Sequence, residues 1–139
     1  MTRIQIEPLQ QLLAERACER LILDFVRRLD LGEPGSVAEL FTQDGRWEWP
    51  AGERLISGRP ALRRYFGSRP ADRLSRRVMT NVLVSVASAE AATATSYFTT
   101  YRVDGWTGGI VPAGAPVQVG HYEDAFRRAG DGSWLLSRR

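Results

Sequence analysis

The chain contains no lysine: all 19 basic residues are arginine. That absence removes Schiff-base chemistry and any phosphate loop built on a lysine. Histidine and cysteine occur once each, as His121 and Cys18, so zinc sites made of several His and Cys ligands are excluded. One cysteine closes no internal disulfide, which fits a reducing cytoplasm. No apolar run approaches the ~18 residues that cross a membrane, and the N-terminus lacks the apolar segment of a signal peptide. No membrane partner is therefore expected. No acidic cluster points to a magnesium site, and no cofactor motif is present, so neither metal nor cofactor is expected. No repeat or linker divides the 139 residues, whose 43% apolar content suits one domain over 1–139 with a real core. A lysine-free composition rich in Arg, Ala and Gly points to a GC-rich bacterial genome.

The N-terminal fifty residues carry the strongest pattern. Glu7-Pro8 opens a helix with proline where its missing N–H costs nothing. Leu13, Ala17, Leu21, Phe25 and Leu29 form an apolar row at helical spacing, with Cys18, Ile22 and Val26 beside it. Cys18 reads as core. One further i+4 step along the second row arrives at Asp30, in the last turn before Gly32. The helix dipole disfavours negative charge there. Asp30 is either a solvated terminal carboxylate or a carboxylate at the floor of a pocket.

Glu33-Pro34-Gly35 breaks the chain, and Ser36 is expected to cap a short helix through Phe41. Gln43-Asp44-Gly45 reads as a turn, and Arg46–Trp49 as a strand with both tryptophans on one face. Gly52–Ser57 is a second short strand, and Gly58-Arg59-Pro60 starts a helix through about Phe66. Strands follow at Arg76–Val86, Ala91–Val103, Val117–Arg128 and Ser133–Arg138, with hairpin turns at Ser88–Glu90 and Ala129–Gly132. The Gly- and Pro-rich stretch Asp104–Pro116 is too long for a tight hairpin. Its Gly108-Gly109 pair lacks the ending of a phosphate loop. Helices first and antiparallel strands afterwards make an α+β pattern.

Seven arginines crowd between Arg59 and Arg77, and the net charge is +3. Nucleic acid or an anionic ligand is admitted by that crowding. Apart from Tyr65 and Phe66, however, aromatic residues do not interleave as stacking platforms would. A solvated helix face is the expected account, and no nucleic-acid partner is expected.

Alternation in the third strand puts Val78, Thr80, Val82, Val84 and Val86 on one face, and Arg77, Met79, Asn81 and Leu83 on the other. The mixed face resembles a pocket wall. The valine face then needs a cover, and a homodimer partner is the simplest one. The converse, with valines in the core and Arg77 in solvent, stays open. His121 is the only side chain that titrates near neutrality unperturbed; it is structural, or an inward base. Trp47, Trp49, Tyr65, Tyr97, Phe98 and Tyr101 are core by composition, and those lining a cavity would favour a flat aromatic ligand.

The ordered segments LILDFVRRLDLGE, VAELFTQDGRWEW, SGRPALRRYF, RRVMTNVLVSV, GHYEDAFRR and DGSWLLSRR resemble the SnoaL-like branch of the nuclear transport factor two-like superfamily. That resemblance implies a cone-shaped α+β barrel, in which a strongly curved antiparallel sheet wraps the helices and leaves one deep apolar pocket. It implies dehydratase, dehydrochlorinase, isomerase or cyclase activity, or a binding role; fold alone fixes no reaction. Dehydratase-like members pair an aspartate at the end of the first helix, matched by Asp30, with a strand histidine, whose place Arg77 takes. Arginine cannot accept a proton at neutral pH, but it can hold Asp30 ionised or bind an oxyanion. Many relatives continue past the position of Arg139, so either the pocket is more open than usual or further residues belong to the protein.

The leading expectation is therefore cofactor-free proton-transfer chemistry on an apolar, aromatic or polyketide-like small molecule. Asp30, Arg77 and His121 are the candidate catalytic residues. Trp47, Tyr65, Met79, Asn81, Phe98 and Trp106 are the candidate substrate contacts, with Trp106 expected to cover a ligand from the long loop. The alternatives are a non-catalytic ligand-binding module and the small subunit of a ring-hydroxylating dioxygenase.

Overall fold

The computed structural model describes residues 6–112 and 114–139. Helix α1 (Pro8–Leu31) begins at its proline and buries Ala14, Cys18, Ile22, Phe25 and Leu29. The buried stripe therefore runs one position round from the expected row: Leu13 is 59% exposed. A 3₁₀ helix, Pro34–Leu40, follows. Ser36 does not cap it; its hydroxyl donates back to the Glu33 carbonyl at 2.6 Å. Strands β1 (Phe41–Trp49) and β2 (Arg54–Ser57) lead into α2 (Arg59–Gly67). Four strands complete the chain: β3 (Leu74–Val86), β4 (Ala91–Val103), β5 (Gln118–Arg128) and β6 (Trp134–Arg138).

The six strands form one sheet in the order β2-β1-β6-β5-β4-β3. All pairings are antiparallel except β1 with β6, which is parallel. The sheet curves around the helices in an α+β arrangement. No described helix is long and apolar enough to cross a membrane. The Gln43-Asp44-Gly45 turn is instead an irregularity inside β1, where the register against β6 shifts between Phe41 and Arg46. Gly45 is required there, because a Cβ would come 2.8 Å from that of Phe41.

A second irregularity decides which face of β3 looks inward. The register against β4 shifts between Thr80 and Leu83, and Asn81 sits there at φ 53°, the left-handed region that asparagine tolerates best among residues with a Cβ. One extra residue reverses the alternation. Before the bulge Arg77 and Met79 face the interior; after it Val82, Val84 and Val86 pack against the core. The expected continuous valine face is thus split. Val82, Val84 and Val86 are covered by the chain's own core rather than by a partner, while Val78 and Leu83 remain 48% and 66% exposed.

Aromatic rings fill the space between α1, α2 and β1: Phe25 meets Phe66 at 5.6 Å, and Trp47 meets Phe66 at 5.6 Å between centroids. Beneath them lies a buried ion pair. Arg139 donates to Asp124 at 2.8 Å with both side chains fully buried. The guanidinium carbon stands 3.7 Å from the Tyr122 ring centre and 4.5 Å from that of Phe25. Burial pushes the Asp124 carboxyl up, and Arg139 pulls against that shift.

Asn81→Gly is expected to be neutral or slightly stabilising in urea unfolding. Asn81→Val should cost about 1–2 kcal/mol, because a β-branched residue resists positive φ; equal stabilities would contradict the bulge. Asp124→Ala strands a buried cation and should cost about 3 kcal/mol or more, whereas joint replacement by Asp124→Leu and Arg139→Met should cost less. A double variant weaker than the single would contradict that reading.

Candidate active site

A cavity of about 990 Å³ opens between α2, β1 and the concave face of β3–β5. Its volume lies near the upper end of the roughly 300–1,000 Å³ span of small-molecule sites. Phe25 and Leu29 of α1 contribute to its lining. Alternation along β1 presents Trp47 and Trp49 to it together, and α2 adds Tyr65, whose ring centre is 5.4 Å from that of Trp47. On the opposite wall Phe98 of β4 and Tyr122 of β5 stack at 4.6 Å. Gly120 lets that pair form, since a Cβ there would lie 3.0 Å from the Phe98 ring.

The polar side is built where α1 ends against β3. Asp30 Oδ1 accepts from the Ser75 hydroxyl at 2.8 Å and from the Arg77 guanidinium at 3.2 Å. Its Oδ2 accepts from the Arg77 backbone N–H at 2.7 Å. The Asp30 side chain is 5% exposed and that of Arg77 11%. Arg76 reinforces the join by donating to the Asp30 carbonyl at 3.3 Å. These donors offset the unfavourable meeting of a carboxylate with the negative end of the helix. Ser75 and Arg77 line the cavity, and Asp30 stands directly behind them.

Only part of the arginine run forms a solvated helix face, Arg63 and Arg64 on α2. Arg59 turns in to donate to the Phe41 carbonyl at 2.8 Å, and Arg69, Arg73 and Arg77 line the cavity. The reason is that α2 stops at Gly67, so later members of the run lie on a loop and on β3. Arg63, by contrast, stays at the surface beside Glu39.

Of the residues expected at the site, Trp47, Tyr65, Phe98 and Arg77 line the cavity together. Met79 packs against the hydrophobic core instead. Asn81 is exposed at the bulge, outside the cavity. Trp106 is also elsewhere: its indole donates to the Gly109 carbonyl at 3.0 Å and its backbone N–H to Asp72 at 2.8 Å. It does not cover the cavity. His121 reaches only the mouth, with its side chain 62% exposed and 3.8 Å from Glu123. The alternation of β5 assigns the interior to Tyr122, Asp124 and Phe126 and turns His121 outward.

Sequence reasoning missed Ser75, Arg69, Arg73, Arg102 and Thr100, all of which line the cavity. Ser75 shares a strand face with Arg77, but the expected strand began at Arg76, whereas β3 begins at Leu74. Arg69 lies in the 68–73 connection between α2 and β3, where no periodicity could place it. Among the described residues no three His, Cys, Asp or Glu side chains converge as a metal site. Cys18 is buried, and burial pushes its thiol up to about 12, which removes it as a nucleophile.

No curated protein matches the sequence, but solved structures of the same shape exist. One is a nuclear transport factor two-like protein with a cystatin-like fold from Novosphingobium aromaticivorans. It is 24% identical, with TM-score 0.75 and coverage of 93% of this chain and 81% of that one. Another, from Catenulispora acidiphila in complex with S-DNPA, is 24% identical with TM-score 0.69, covering 93% and 90%. A hexachlorocyclohexane dehydrochlorinase is 16% identical with TM-score 0.75, covering 95% and 86%. Identities this low establish the fold and nothing finer. The SnoaL-like domain family matches residues 10–139, and the chain belongs to it.

Proposed function

We propose that this protein is a small-molecule enzyme carrying out cofactor-free proton transfer (dehydration, isomerisation or cyclisation) on a flat aromatic or polyketide-like substrate. The observation that carries the reading is the buried Asp30–Ser75–Arg77 group on the wall of an aromatic cavity. Asp30 is the acid/base group. The Ser75 hydroxyl reaches the cavity on its behalf: it takes a proton from the substrate while passing its own to Asp30 Oδ1, and the reverse step returns one. Arg77 pairs with the Asp30 carboxyl at 3.2 Å and stabilises oxyanion character in the substrate. Arginine in the histidine's place cannot share the base role, so Asp30 carries it alone.

A second reading, a ligand-binding module without turnover, is favoured by one feature. Both Asp30 oxygens already accept hydrogen bonds from the protein, and each must weaken when the carboxylate takes a proton.

Native mass spectrometry of freshly purified protein supplies the ligand for the test. The wild type should convert that ligand or its precursor. Asp30→Asn should lower kcat at least about 100-fold with binding largely retained, and Ser75→Ala should lower kcat by a similar order. Unchanged turnover in Asp30→Asn would remove Asp30 from the mechanism. A co-purified compound that the wild type leaves unaltered would favour the binding module.

The same reading includes a cytoplasmic homodimer. Val78, Leu83 and Tyr97 are 48%, 66% and 55% exposed on the outer face of β3 and β4, an apolar patch suited to a second copy of itself. Sedimentation at micromolar concentration should give a dimer, and Leu83→Glu should give a monomer. A wild-type monomer would contradict this.

A further inference from the structure

The charges around the cavity do not balance. Arg54, Arg69, Arg73, Arg77 and Arg102 all line it, yet among the described residues only two carboxylates answer them; Arg54 donates instead to the Tyr65 hydroxyl at 2.8 Å. Asp30 holds Arg77 at 3.2 Å, while Asp104 is shared between Arg73 at 3.2 Å and Arg102 at 3.0 Å. Glu48, the acidic residue of the lining, is engaged by Arg46 at 2.7 Å. Arg69 has no carboxylate within ion-pair distance among the described residues; its side-chain contact is the Ser75 hydroxyl at 3.5 Å. Burial, followed by the nearby charge of Arg77, pulls its pKa down to about 10, so the guanidinium stays charged at neutral pH.

An unpaired cation in a partly desolvated wall is a standing cost to the fold. It is recovered only when an anion arrives. A further polar group of the same cavity lacks a partner among the described residues: Thr100, the cross-strand neighbour of Arg77, is 3% exposed and lines the cavity with its hydroxyl unsatisfied. The rings of Trp47, Trp49 and Tyr65 line the same cavity.

We infer that Arg69 is the anchor of an oxyanion subsite, and that the ligand is an aromatic acid or enolate whose charged oxygens lie on Arg69 and the Thr100 hydroxyl while its ring lies against the tryptophans. A planar oxyanion pair matches the fork of a guanidinium. Since Ser75 contacts both Arg69 and Asp30, an anion held by Arg69 places the adjacent part of the ligand beside the proton-transfer group. This inference rests on the cavity being the substrate site, but binding alone tests it. A protein that binds the anion and turns nothing over would contradict the catalytic reading and leave this one intact.

The experiment is calorimetric titration at pH 7.5 with 2-naphthoate and its uncharged counterpart 2-naphthamide. Wild-type protein should prefer the carboxylate by at least about tenfold, the scale of one charge-assisted hydrogen bond. Arg69→Gln should lose that preference, Arg69→Lys should keep most of it, and Arg64→Gln, on the exposed side of α2, should behave as wild type. The melting temperature of ligand-free Arg69→Gln should equal or exceed that of the wild type by up to about 3 °C, because an uncompensated charge has gone. Equal affinity for the two probes, failure of both to bind at millimolar concentration, or an Arg69→Gln variant with wild-type preference would each overturn the assignment.

Discussion

The carboxylate of Asp30 is where the helical and sheet parts of the molecule are fastened. It sits in the final turn of α1, where the dipole disfavours it, and it survives because β3 delivers a hydroxyl, a backbone N–H and a guanidinium to its two oxygens. Those bonds set the height at which β3 crosses the end of the helix. They also fix the inward face of β3 before the bulge, placing Ser75 and Arg77 on the cavity wall. That fastening adds a polar tie to the β4 pairing and to the packing of Met79, Val82, Val84 and Val86 that also hold β3.

Arginine accounts for much of the rest. A chain without lysine must place every positive charge on a planar, weakly hydrated group that stacks and forks. The structure uses this in three ways. Arg139 is buried between Phe25 and Tyr122, so one wall of the aromatic cavity is supported from behind by a cation–π contact. Arg77 and Arg76 tie the end of α1 to β3. Arg69 is left without a carboxylate among the described residues and lines the cavity. Stability is given up at that last position, a common feature of sites that bind.

Local pattern revealed the element order, because each element announces itself in its own residues: Pro8 at the start of α1, Gly58 ahead of α2, β-branched and aromatic runs in the strands. Asp30 was legible for the same reason, since an i+4 step along a helix is a strictly local construction. The failures share a cause. The bulge at Asn81 is one residue of backbone geometry set by pairing with β4, and it reverses the facing of everything after it. Val82, Val84 and Val86 therefore belong to the core, and Asn81 itself lies outside the cavity. The facing of His121 depends on the register of β5. Trp106 is held by Asp72, an element distant in sequence. Arg69 becomes a cavity residue only because α2 ends and the chain turns inward, which no charge count could reveal.

The fastening at Asp30 is tested most directly by a double-mutant cycle on stability, using Asp30→Asn, Arg77→Gln and the two together in urea unfolding. Each single change should cost about 2 kcal/mol or more, because it leaves the partner buried and uncompensated. The double variant should cost well under the sum, with a coupling above about 1 kcal/mol. Costs that add to within about 0.3 kcal/mol would show that the two side chains do not hold one another, and would contradict the account of how the cavity is built.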